Sequence, residues 1–280
     1  MTEATNKTIE TSTAIINYHD VGTGPIVLAL HGGGPGATGW GNFWSTVDEL
    51  KGDFRLIVPD QPGFGLSTWK DTDDGTYFPL ASARVMIELL SKLGVEKAHV
   101  IGNSAGGGVA MRMALEAPNA VDRLILMGAY FRGFPRTFMG PAPAGNAHLS
   151  EYYPEPTAEK MERMIRAFVF DASKFENLPE IVESRFKLTS DPKLAASYMR
   201  FLRSNPDPDP RSPWDMVSSI KHKAQIVWGK DDKFCHLEDA FQYLTALDNS
   251  ELVVFRDTGH WVMLERPKEF ASHVAAFLSR

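Results

Sequence analysis

The sequence predicts an α/β fold in which helices flank a mainly parallel central sheet and a helical segment is inserted into the chain. Three observations predict it. Short apolar runs typical of strands alternate with segments of helical periodicity. The runs are apolar at nearly every position, as in parallel strands buried on both faces. Prolines are concentrated in one segment, where the alternation stops.

The predicted strands are residues 26–30, 54–58, 98–101, 124–127, 226–228 and 252–255. Between two of them, apolar residues recur at i, i+3, i+4 and i+7 in residues 86–93, and a similar stripe runs through residues 270–278. This spacing predicts helices that pack one face on the sheet.

The alternation stops after about Arg132 and returns near Trp214. Eleven of the 18 prolines lie in residues 133–213, where residues 158–170 and 179–188 still have helical patterns. Residues 205–210, Asn-Pro-Asp-Pro-Asp-Pro, predict a stiff non-helical return. We therefore expect a core made of residues 1–132 and 214–280, with a helical cap of residues 133–213 over one end of the sheet.

Composition and charge exclude several classes of function. The 280 residues are 43% hydrophobic and 23% charged, so a large core is expected and disorder is not. A net charge of -6 argues against a nucleic-acid backbone or an anionic membrane as partner and favours a small-molecule ligand. The sequence leaves a homo-oligomer open.

The cysteine content and the N-terminus predict a cytoplasmic protein. Cys235 is the single cysteine, so no intrachain disulfide can form, and no Cys/His spacing resembles a zinc site. Residues 1–12 are polar, and the longest aliphatic run, residues 26–30, is too short to span a bilayer. We expect no metal and no cofactor.

The chemistry is predicted to centre on Gly102-Asn103-Ser104-Ala105-Gly106, which lies between a predicted strand and a helical pattern at residues 107–115. This is the G-x-S-x-G nucleophile elbow in its strand-turn-helix context. The sharp turn presents the Ser104 hydroxyl, and only small residues fit beside it. The alternative interpretation is that the glycines merely form a tight turn.

Serine is a weak nucleophile and needs a base and an orienting acid, in the chain order Ser, Asp, His for this fold. His260 follows the last predicted strand, and Asp231 and Asp232 follow the one before it. In the pattern Gly-x-x-Asp the third residue after the glycine turns back toward the histidine, which favours Asp232. His31 precedes the nucleophile, the wrong order for the base, and His236 is a poorer candidate at the start of a helix.

A glycine-rich segment at residues 31–36, His-Gly-Gly-Gly-Pro-Gly, leaves the strand at residues 26–30. One N–H group, from Gly33 or Gly34, can join the N–H of Ala105 in an oxyanion hole. A phosphate-binding loop is excluded, because no Lys-Ser/Thr pair follows and no G-x-G-x-x-G pattern precedes a helix.

At residues 25–280 the chain resembles the α/β-hydrolase fold, and a combination of motifs resembles the meta-cleavage product hydrolases, the carbon-carbon bond hydrolases of aromatic catabolism. The residues that carry the resemblance are 31–37, Asn42, 102–104, Arg185, 228–232 and 259–261. The resemblance implies a 6-substituted 2-hydroxy-6-oxohexa-2,4-dienoate as substrate. Water would cleave it into 2-hydroxypenta-2,4-dienoate and a carboxylic acid.

The same resemblance implies roles for individual residues. His260 moves the proton that converts the dienol to a ketone, and Ser104 or a water that it positions attacks the C6 carbonyl. Arg185 pairs with the anionic end of the substrate. Trp261 and Asn103 contact the dienoate. Asn42 supports the oxyanion loop or contacts the same polar end of the substrate.

Each substrate contact has a structural alternative. Arg185 would face solvent and pair with Glu183 or another nearby acid. Trp261 would be ordinary core, and Asn42 would be the N-cap of a helix at residues 43–50. The sequence also departs from the family at Ala105, where a bulkier residue, often methionine, is common. We therefore expect a roomier wall near the scissile carbonyl.

Rival functions remain open from the sequence. A carboxylesterase, or another ester or amide hydrolase, needs the triad and the oxyanion hole but no cationic dienoate site. A ligand-binding receptor derived from a hydrolase belongs to another class, and the complete set of Ser104, Asp232 and His260 argues against it. A cofactor-free oxygenase or haloperoxidase activity is the remaining option.

Overall fold

The computed structural model describes residues 5–70, 76–134 and 144–280. In these residues nine strands form one sheet. The strands are β1 (Lys7–Glu10), β2 (Ala14–Val21), β3 (Ile26–Leu30), β4 (Arg55–Pro59), β5 (Thr68–Trp69), β6 (Ala98–Asn103), β7 (Val121–Met127), β8 (Lys223–Gly229) and β9 (Ser250–Phe255).

Eleven α-helices accompany the sheet in the same described ranges. They are α1 (Gly39–Leu50), α2 (Phe78–Lys92), α3 (Ala105–Glu116), α4 (Gly145–Tyr152), α5 (Ala158–Phe168), α6 (Leu178–Ser190), α7 (Pro192–Leu202), α8 (Pro213–Ser218), α9 (Leu237–Ala246), α10 (Val262–Glu265) and α11 (Pro267–Leu278).

The sheet is parallel except at its N-terminal edge. The strand order is β1-β2-β4-β3-β6-β7-β8-β9, with β5 paired to β2. All pairs from β4 to β9 are parallel, whereas β2 is antiparallel to each of β1, β4 and β5. The carboxyl ends of β3, β6, β8 and β9 therefore lie along one edge, where ligands bind in open α/β sheets.

The central strands separate two hydrophobic layers, which explains their continuous apolarity. In β3, Leu28 and Leu30 pack into the layer that contains α2, α3 and α9, whereas Val27 and Ala29 face the layer that contains α1 and α11. All four side chains are fully buried. Side chains alternate between the faces of a strand, so a strand covered on both sides has no polar face.

The α/β architecture with a mainly parallel sheet agrees with the sequence-based prediction. The six predicted strands correspond to β3, β4, β6, β7, β8 and β9, and the two helical stripes lie in α2 and α11. Helices α4 to α7 lie between β7 and β8, and residues 205–210 have no regular structure. Strands β1, β2 and β5 were not predicted.

The described ranges contain neither a helix that could span a membrane nor a cluster of metal-ligating side chains. None of their helices is long and apolar enough to cross a bilayer. No group of three or more His, Cys, Asp or Glu side chains in those ranges is placed to hold a metal ion.

Candidate active site

Ser104 occupies the sharp turn between β6 and α3. Its φ of 54° and ψ of -121° lie in a region that residues other than glycine rarely adopt. Two backbone hydrogen bonds hold the turn: the Ser104 N–H donates to the Met127 carbonyl at 2.9 Å, and the Ser104 carbonyl accepts from the Tyr130 N–H at 2.9 Å. The strain is thus supported by the chain that follows β7.

The two glycines of the elbow are required by close backbone approach. A β-carbon on Gly102 would overlap the carbonyl oxygen of Gly106, and a β-carbon on Gly106 would overlap the carbonyl oxygen of Leu30. The turn can therefore be this tight only with glycine at both positions.

His260 and Asp232 form a buried hydrogen-bonded pair. His260 Nδ1 lies 2.6 Å from Asp232 Oδ2, and the two side chains are 2% and 1% exposed. Asp232 Oδ1 accepts from the N–H groups of Phe234 at 2.7 Å and Cys235 at 2.9 Å. A carboxylate held in this way fixes the imidazole tautomer with the proton on Nδ1, so Nε2 is the nitrogen able to accept a proton.

Asp231 takes no part in this pair. Its backbone N–H donates to the Thr258 carbonyl at 2.9 Å, and its side chain is partly exposed. Of the two neighbouring aspartates, the structure brings Asp232 to His260.

Helix α5 ends directly against the histidine loop. The carbonyl oxygen of Phe168 accepts from the N–H groups of His260 at 2.8 Å and Trp261 at 3.3 Å. The Phe168 ring stacks on Trp261, with centroids 4.5 Å apart and an interplanar angle of 8°. The helical spacing around Phe168 favours the core of the cap over the lining of an apolar pocket, and it does not indicate the contact with His260, which arises only through the tertiary fold.

The glycine loop lies beside the elbow. A β-carbon placed on Gly33 would lie 3.2 Å from Cβ of Ala105. Within the described residues, the N–H groups of Gly33, Gly34 and Ala105 donate to no protein acceptor. Three donors without a protein acceptor in the described residues therefore lie close to Ser104.

Helix α7 supports this loop, which the sequence did not indicate. The Tyr198 hydroxyl donates to the Gly33 carbonyl at 2.9 Å. The Phe201 ring reaches the same glycine, because a β-carbon there would lie 2.5 Å from Phe201 Cζ. Burial raises the pKa of Tyr198 well above its usual value, so the phenol remains a donor.

His31 is a structural residue of the same loop. Its Nε2 accepts from the Gln61 N–H at 2.9 Å, and its Nδ1 donates to the Gly32 carbonyl at 2.8 Å. Burial lowers the pKa of His31 to about 4, so the ring is neutral at neutral pH.

Arg185 is buried and lines the same cavity as Ser104. Its side chain stacks over Trp261, with Cζ 4.8 Å from the ring centroid, and its Nη2 donates to Asn42 Oδ1 at 3.0 Å. Its Nη1 donates weakly to the Pro35 carbonyl at 3.4 Å. No carboxylate in the described ranges pairs with Arg185, and burial lowers the pKa of its guanidinium to about 10. The alternative of a solvent-facing pair with Glu183 is therefore wrong.

Asn42 and Asn103 continue a series of hydrogen bonds that begins at Arg185. Asn42 Nδ2 donates to Asn103 Oδ1 at 3.3 Å, and Asn103 Nδ2 donates to the Met127 carbonyl at 3.1 Å. Both asparagines are buried. The N-cap alternative for Asn42 is wrong, because α1 begins at Gly39 and Thr38 accepts the capping hydrogen bond.

These side chains surround one small cavity of about 20 Å³. Its lining residues are Gly32, Gly33, Gly34, Ala37, Asn42, Asn103, Ser104, Phe168, Arg185, His260 and Trp261. Of the residues singled out in the sequence, Asp232 lies behind His260, and Ala105 lines an adjoining cavity. The structure thus brings together Ser104, His260 and the buried cation of Arg185.

The strand-turn-helix elbow on a mainly parallel sheet defines an α/β hydrolase. Residues 26–273 match the model of the alpha/beta hydrolase family. The match spans both sides of the segment between β7 and β8, so it covers the whole sheet from β3 onward.

Individual relatives within the alpha/beta hydrolases are named as hydrolases of 2-hydroxy-6-oxo dienoates. The chain is 32% identical to a 2-hydroxy-6-oxo-6-phenylhexa-2,4-dienoate hydrolase of Comamonas testosteroni, over 94% of this chain and 91% of the relative. It is 35% identical to a 2-hydroxy-6-oxononadienedioate/2-hydroxy-6-oxononatrienedioate hydrolase of Burkholderia vietnamiensis, over 95% and 91%.

Solved structures similar to this one include hydrolases of the same kind. A 2-hydroxy-6-oxo-6-phenylhexa-2,4-dienoate hydrolase from a Rhodococcus species has a TM-score of 0.86 at 27% identity, with 99% of each chain covered. A meta-cleavage product hydrolase has a TM-score of 0.83 at 28% identity, with 98% of this chain and 97% of that chain covered. The chain belongs to the meta-cleavage product hydrolases of the alpha/beta hydrolase family.

Proposed function

We propose that the chain hydrolyses the carbon-carbon bond of a 6-substituted 2-hydroxy-6-oxohexa-2,4-dienoate, giving 2-hydroxypenta-2,4-dienoate and a carboxylic acid. The observation that carries the proposal is the buried Arg185 guanidinium, which lines the same cavity as Ser104 and has no carboxylate partner among the described residues. The names of the relatives support the class of substrate.

The energetic argument concerns the cost of an unpaired buried charge. Moving a cation out of water costs several kcal/mol unless an anion or hydrogen bonds compensate it. Asn42, Pro35 and the Trp261 ring supply partial compensation. In this proposal an anionic substrate supplies the remaining compensation of the charge. An ester hydrolase that acts on uncharged esters would not need such a buried cation.

In this proposal the dienoate carboxylate binds Arg185. The guanidinium forms charge-assisted hydrogen bonds, and the flat Trp261 ring packs against the conjugated chain. Asn42 and Asn103 hold the guanidinium and the polar end of the substrate in register. The C6 carbonyl then lies at Ser104.

His260 moves the first proton. Nε2 takes the proton of the 2-hydroxyl group, and C5 gains a proton, which converts the dienol to a ketone. Asp232 keeps Nδ1 protonated and stabilises the imidazolium that forms. The ketone at C2 is the electron sink that the later cleavage needs.

The second stage is attack at C6 by Ser104 or by a water that it positions. The oxyanion that forms is bound by the N–H groups of Ala105 and of Gly33 or Gly34. The C5–C6 bond then breaks, its electron pair is delocalised onto the C2 carbonyl, and protonation gives 2-hydroxypenta-2,4-dienoate. C6 leaves as the carboxylic acid, either directly or after water hydrolyses an acyl-serine.

We also propose that residues 133–213 act as the cap of this site on a core of residues 1–132 and 214–280. Arg185 of α6, Phe168 of α5 and Phe201 of α7 support this division, because each contacts a residue at the carboxyl edge of the sheet.

The test is a comparison of substrates with the purified protein. Coloured ring-fission products are followed by the loss of dienolate absorbance, and p-nitrophenyl esters are assayed alongside. We expect kcat/KM for at least one dienoate to exceed that for every ester. Faster turnover of esters than of any dienoate would favour the carboxylesterase function instead.

A further inference from the structure

Three successive peptide carbonyls of the glycine loop accept hydrogen bonds. The carbonyls of Gly32 and Gly34 accept from donors within residues 31–37, at 2.8 Å and 3.1 Å. The Gly33 carbonyl between them accepts from the Tyr198 hydroxyl at 2.9 Å. Tyr198 lies on α7, 165 positions further along the chain. The middle peptide unit of the loop is therefore held from another part of the fold.

The peptide unit between Gly33 and Gly34 is the one most in need of such a hold. It joins two glycines, so no β-carbon hinders its rotation. Because a trans peptide is planar, the Gly33 carbonyl and the Gly34 N–H point in opposite directions and turn together. No backbone N–H among the described residues donates to the Gly33 carbonyl. The Tyr198 hydroxyl thus fixes the direction of both groups.

The hydrogen of the Tyr198 hydroxyl is committed to this carbonyl. A phenol has one hydrogen to donate, and a carbonyl oxygen can only accept. The Tyr198 oxygen also forms a hydrogen bond with the Tyr153 hydroxyl, which must therefore be the donor in that pair. The Tyr198 side chain is buried, so its bond to Gly33 is shielded from competing water.

Aromatic packing holds α7 against the loop. The Phe64 ring lies edge-on to the rings of Tyr198 and Phe201, with centroids 5.1 Å and 5.4 Å apart. It packs in the same way on His31, at 5.1 Å. The Phe201 ring lies directly over Gly33, where a β-carbon would be 2.5 Å from Phe201 Cζ. The position of the Tyr198 hydroxyl therefore depends on the packing of α7 on the core.

We propose that Tyr198 is a positioning residue of the oxyanion hole. By holding the peptide between Gly33 and Gly34, it fixes the directions of the glycine N–H groups that bind the oxyanion, so the hole is complete only while α7 is packed on the loop. Tyr198 does not line the catalytic cavity, so it acts through the loop and not on the substrate. The inference rests on the oxyanion hole of the proposed function, which an ester and a dienoate share.

The experiment compares Tyr198→Phe with Tyr152→Phe, on a dienoate and on p-nitrophenyl acetate. Tyr152 is a matched control, because it is also buried but its hydroxyl bonds Thr189 of α6 instead of the glycine loop. We expect Tyr198→Phe to lower kcat on both substrates by about 10- to 100-fold, with KM within about threefold, because the oxyanion donors remain but are misdirected. Tyr152→Phe should stay within about threefold in both constants.

Stopped-flow traces on the dienoate separate positioning from a general loss of structure. Conversion of the dienol to the ketone uses His260 and forms no oxyanion at C6. Tyr198→Phe should therefore keep the rate of ketonisation within about threefold and slow only the cleavage that follows. Equal losses at the two stages, equal losses in Tyr152→Phe, or a raised KM at unchanged kcat would overturn the inference.

The ester separates this inference from the function on which it rests. Failure of the parent protein to cleave any dienoate would overturn carbon-carbon hydrolysis, while a loss of ester turnover confined to Tyr198→Phe would still support the positioning role. Hydrolysis of p-nitrophenyl acetate by Tyr198→Phe at the parent's rate would overturn the positioning role and leave carbon-carbon hydrolysis standing.

Discussion

At the scale of single residues, the neighbouring carboxylates Asp231 and Asp232 provide a matched pair. Only Asp232 reaches His260, at 2.6 Å. We predict that Asp232→Asn lowers kcat by about 10⁴-fold, as an orienting carboxylate does in serine proteases. Asp231→Asn, a change at a partly exposed side chain, should stay within about threefold. Steady-state kinetics on both folded variants gives the answer, and equal or reversed losses would mean that the acid is misassigned.

Variants of Ser104 and His260 are expected to block the reaction at different stages. Ser104→Ala and His260→Ala should each lower turnover by about 10⁴- to 10⁶-fold, and the double variant should lose little more than either. In stopped-flow traces, Ser104→Ala should still convert the dienol to the ketone, whereas His260→Ala should not, because only the imidazole moves that proton. Rapid ketonisation by both variants would remove this role from His260.

Arg185 separates a dienoate hydrolase from an esterase. We predict that Arg185→Gln lowers kcat/KM on the dienoate by about 10- to 150-fold, equivalent to about 1.5 to 3 kcal/mol for lost hydrogen bonds to a desolvated anion. Turnover of an uncharged p-nitrophenyl ester should change by less than about threefold.

The control for this variant is Arg166→Gln, at an exposed arginine that pairs with Glu162 on α5. Arg166→Gln should leave kcat/KM unchanged for both the dienoate and the p-nitrophenyl ester. The deciding quantity is the ratio of the two kcat/KM losses in an Arg185→Gln protein whose thermal unfolding matches the parent. A ratio near one would show that the cation does not hold the substrate.

The residues that the sequence identified are those that belong to local patterns. Ser104, Asp232 and His260 each follow a strand within a few residues, so their place at one edge of the sheet follows from chain order. Phe168 and Tyr198 carry no such pattern, because a backbone carbonyl and a phenol reach the site only when the helices between β7 and β8 pack on the core. The burial of Arg185 likewise depends on packing between elements that are distant in the sequence, so no local pattern indicates it.

At the scale of elements, β2 shows why part of the sheet was missed. Ala14, Ile16 and Tyr18 are buried with period-two spacing, which is a strand signal. The alternation is broken by Ile15, an apolar residue on the opposite face that is 40% exposed, whereas Asn17 on that face is buried and donates to Asp60 at 3.1 Å. A buried polar residue is satisfied by a partner distant in sequence, so pattern alone does not reveal it.

Helix α10 connects the histidine loop to the chain that follows α5 through Glu265. Its two carboxylate oxygens accept from the N–H groups of Gly259 at 2.7 Å and Phe170 at 2.8 Å. Burial, with a smaller contribution from the charge of Asp232, raises the pKa of Glu265 from 4.5 to about 7.

The raised pKa of Glu265 predicts a pH-dependent stability. The folded state binds this proton more tightly than the unfolded state, so its contribution is fully present below pH 4.5 and is lost as the pH rises to about 7. Relative to Glu265→Gln, the parent should therefore lose free energy of unfolding across that window and change little above it. Urea denaturation at several pH values measures this difference, and an increase with pH would contradict the assignment.

At the scale of the whole molecule, two cavities lie beside the elbow, one lined by Ser104 and the other by Ala105. Arg185 lines the cavity on the α1 side and Arg132 lines the cavity on the α2 side. Ala105 lines the cavity of about 210 Å³, and the roomier wall expected near the scissile carbonyl stays a prediction. The fold class follows from sequence periodicity, whereas the volumes of these cavities depend on packing between distant elements.

We propose that this chain breaks a carbon-carbon bond with Ser104 and His260. The most direct test is to identify and quantify the products formed from a 6-substituted 2-hydroxy-6-oxohexa-2,4-dienoate by the purified protein, with Ser104→Ala as the control. We expect one 2-hydroxypenta-2,4-dienoate and one carboxylic acid for each dienoate consumed, and almost no product with the variant. Consumption of the dienoate without these two products, or equal product formation by Ser104→Ala, would contradict it.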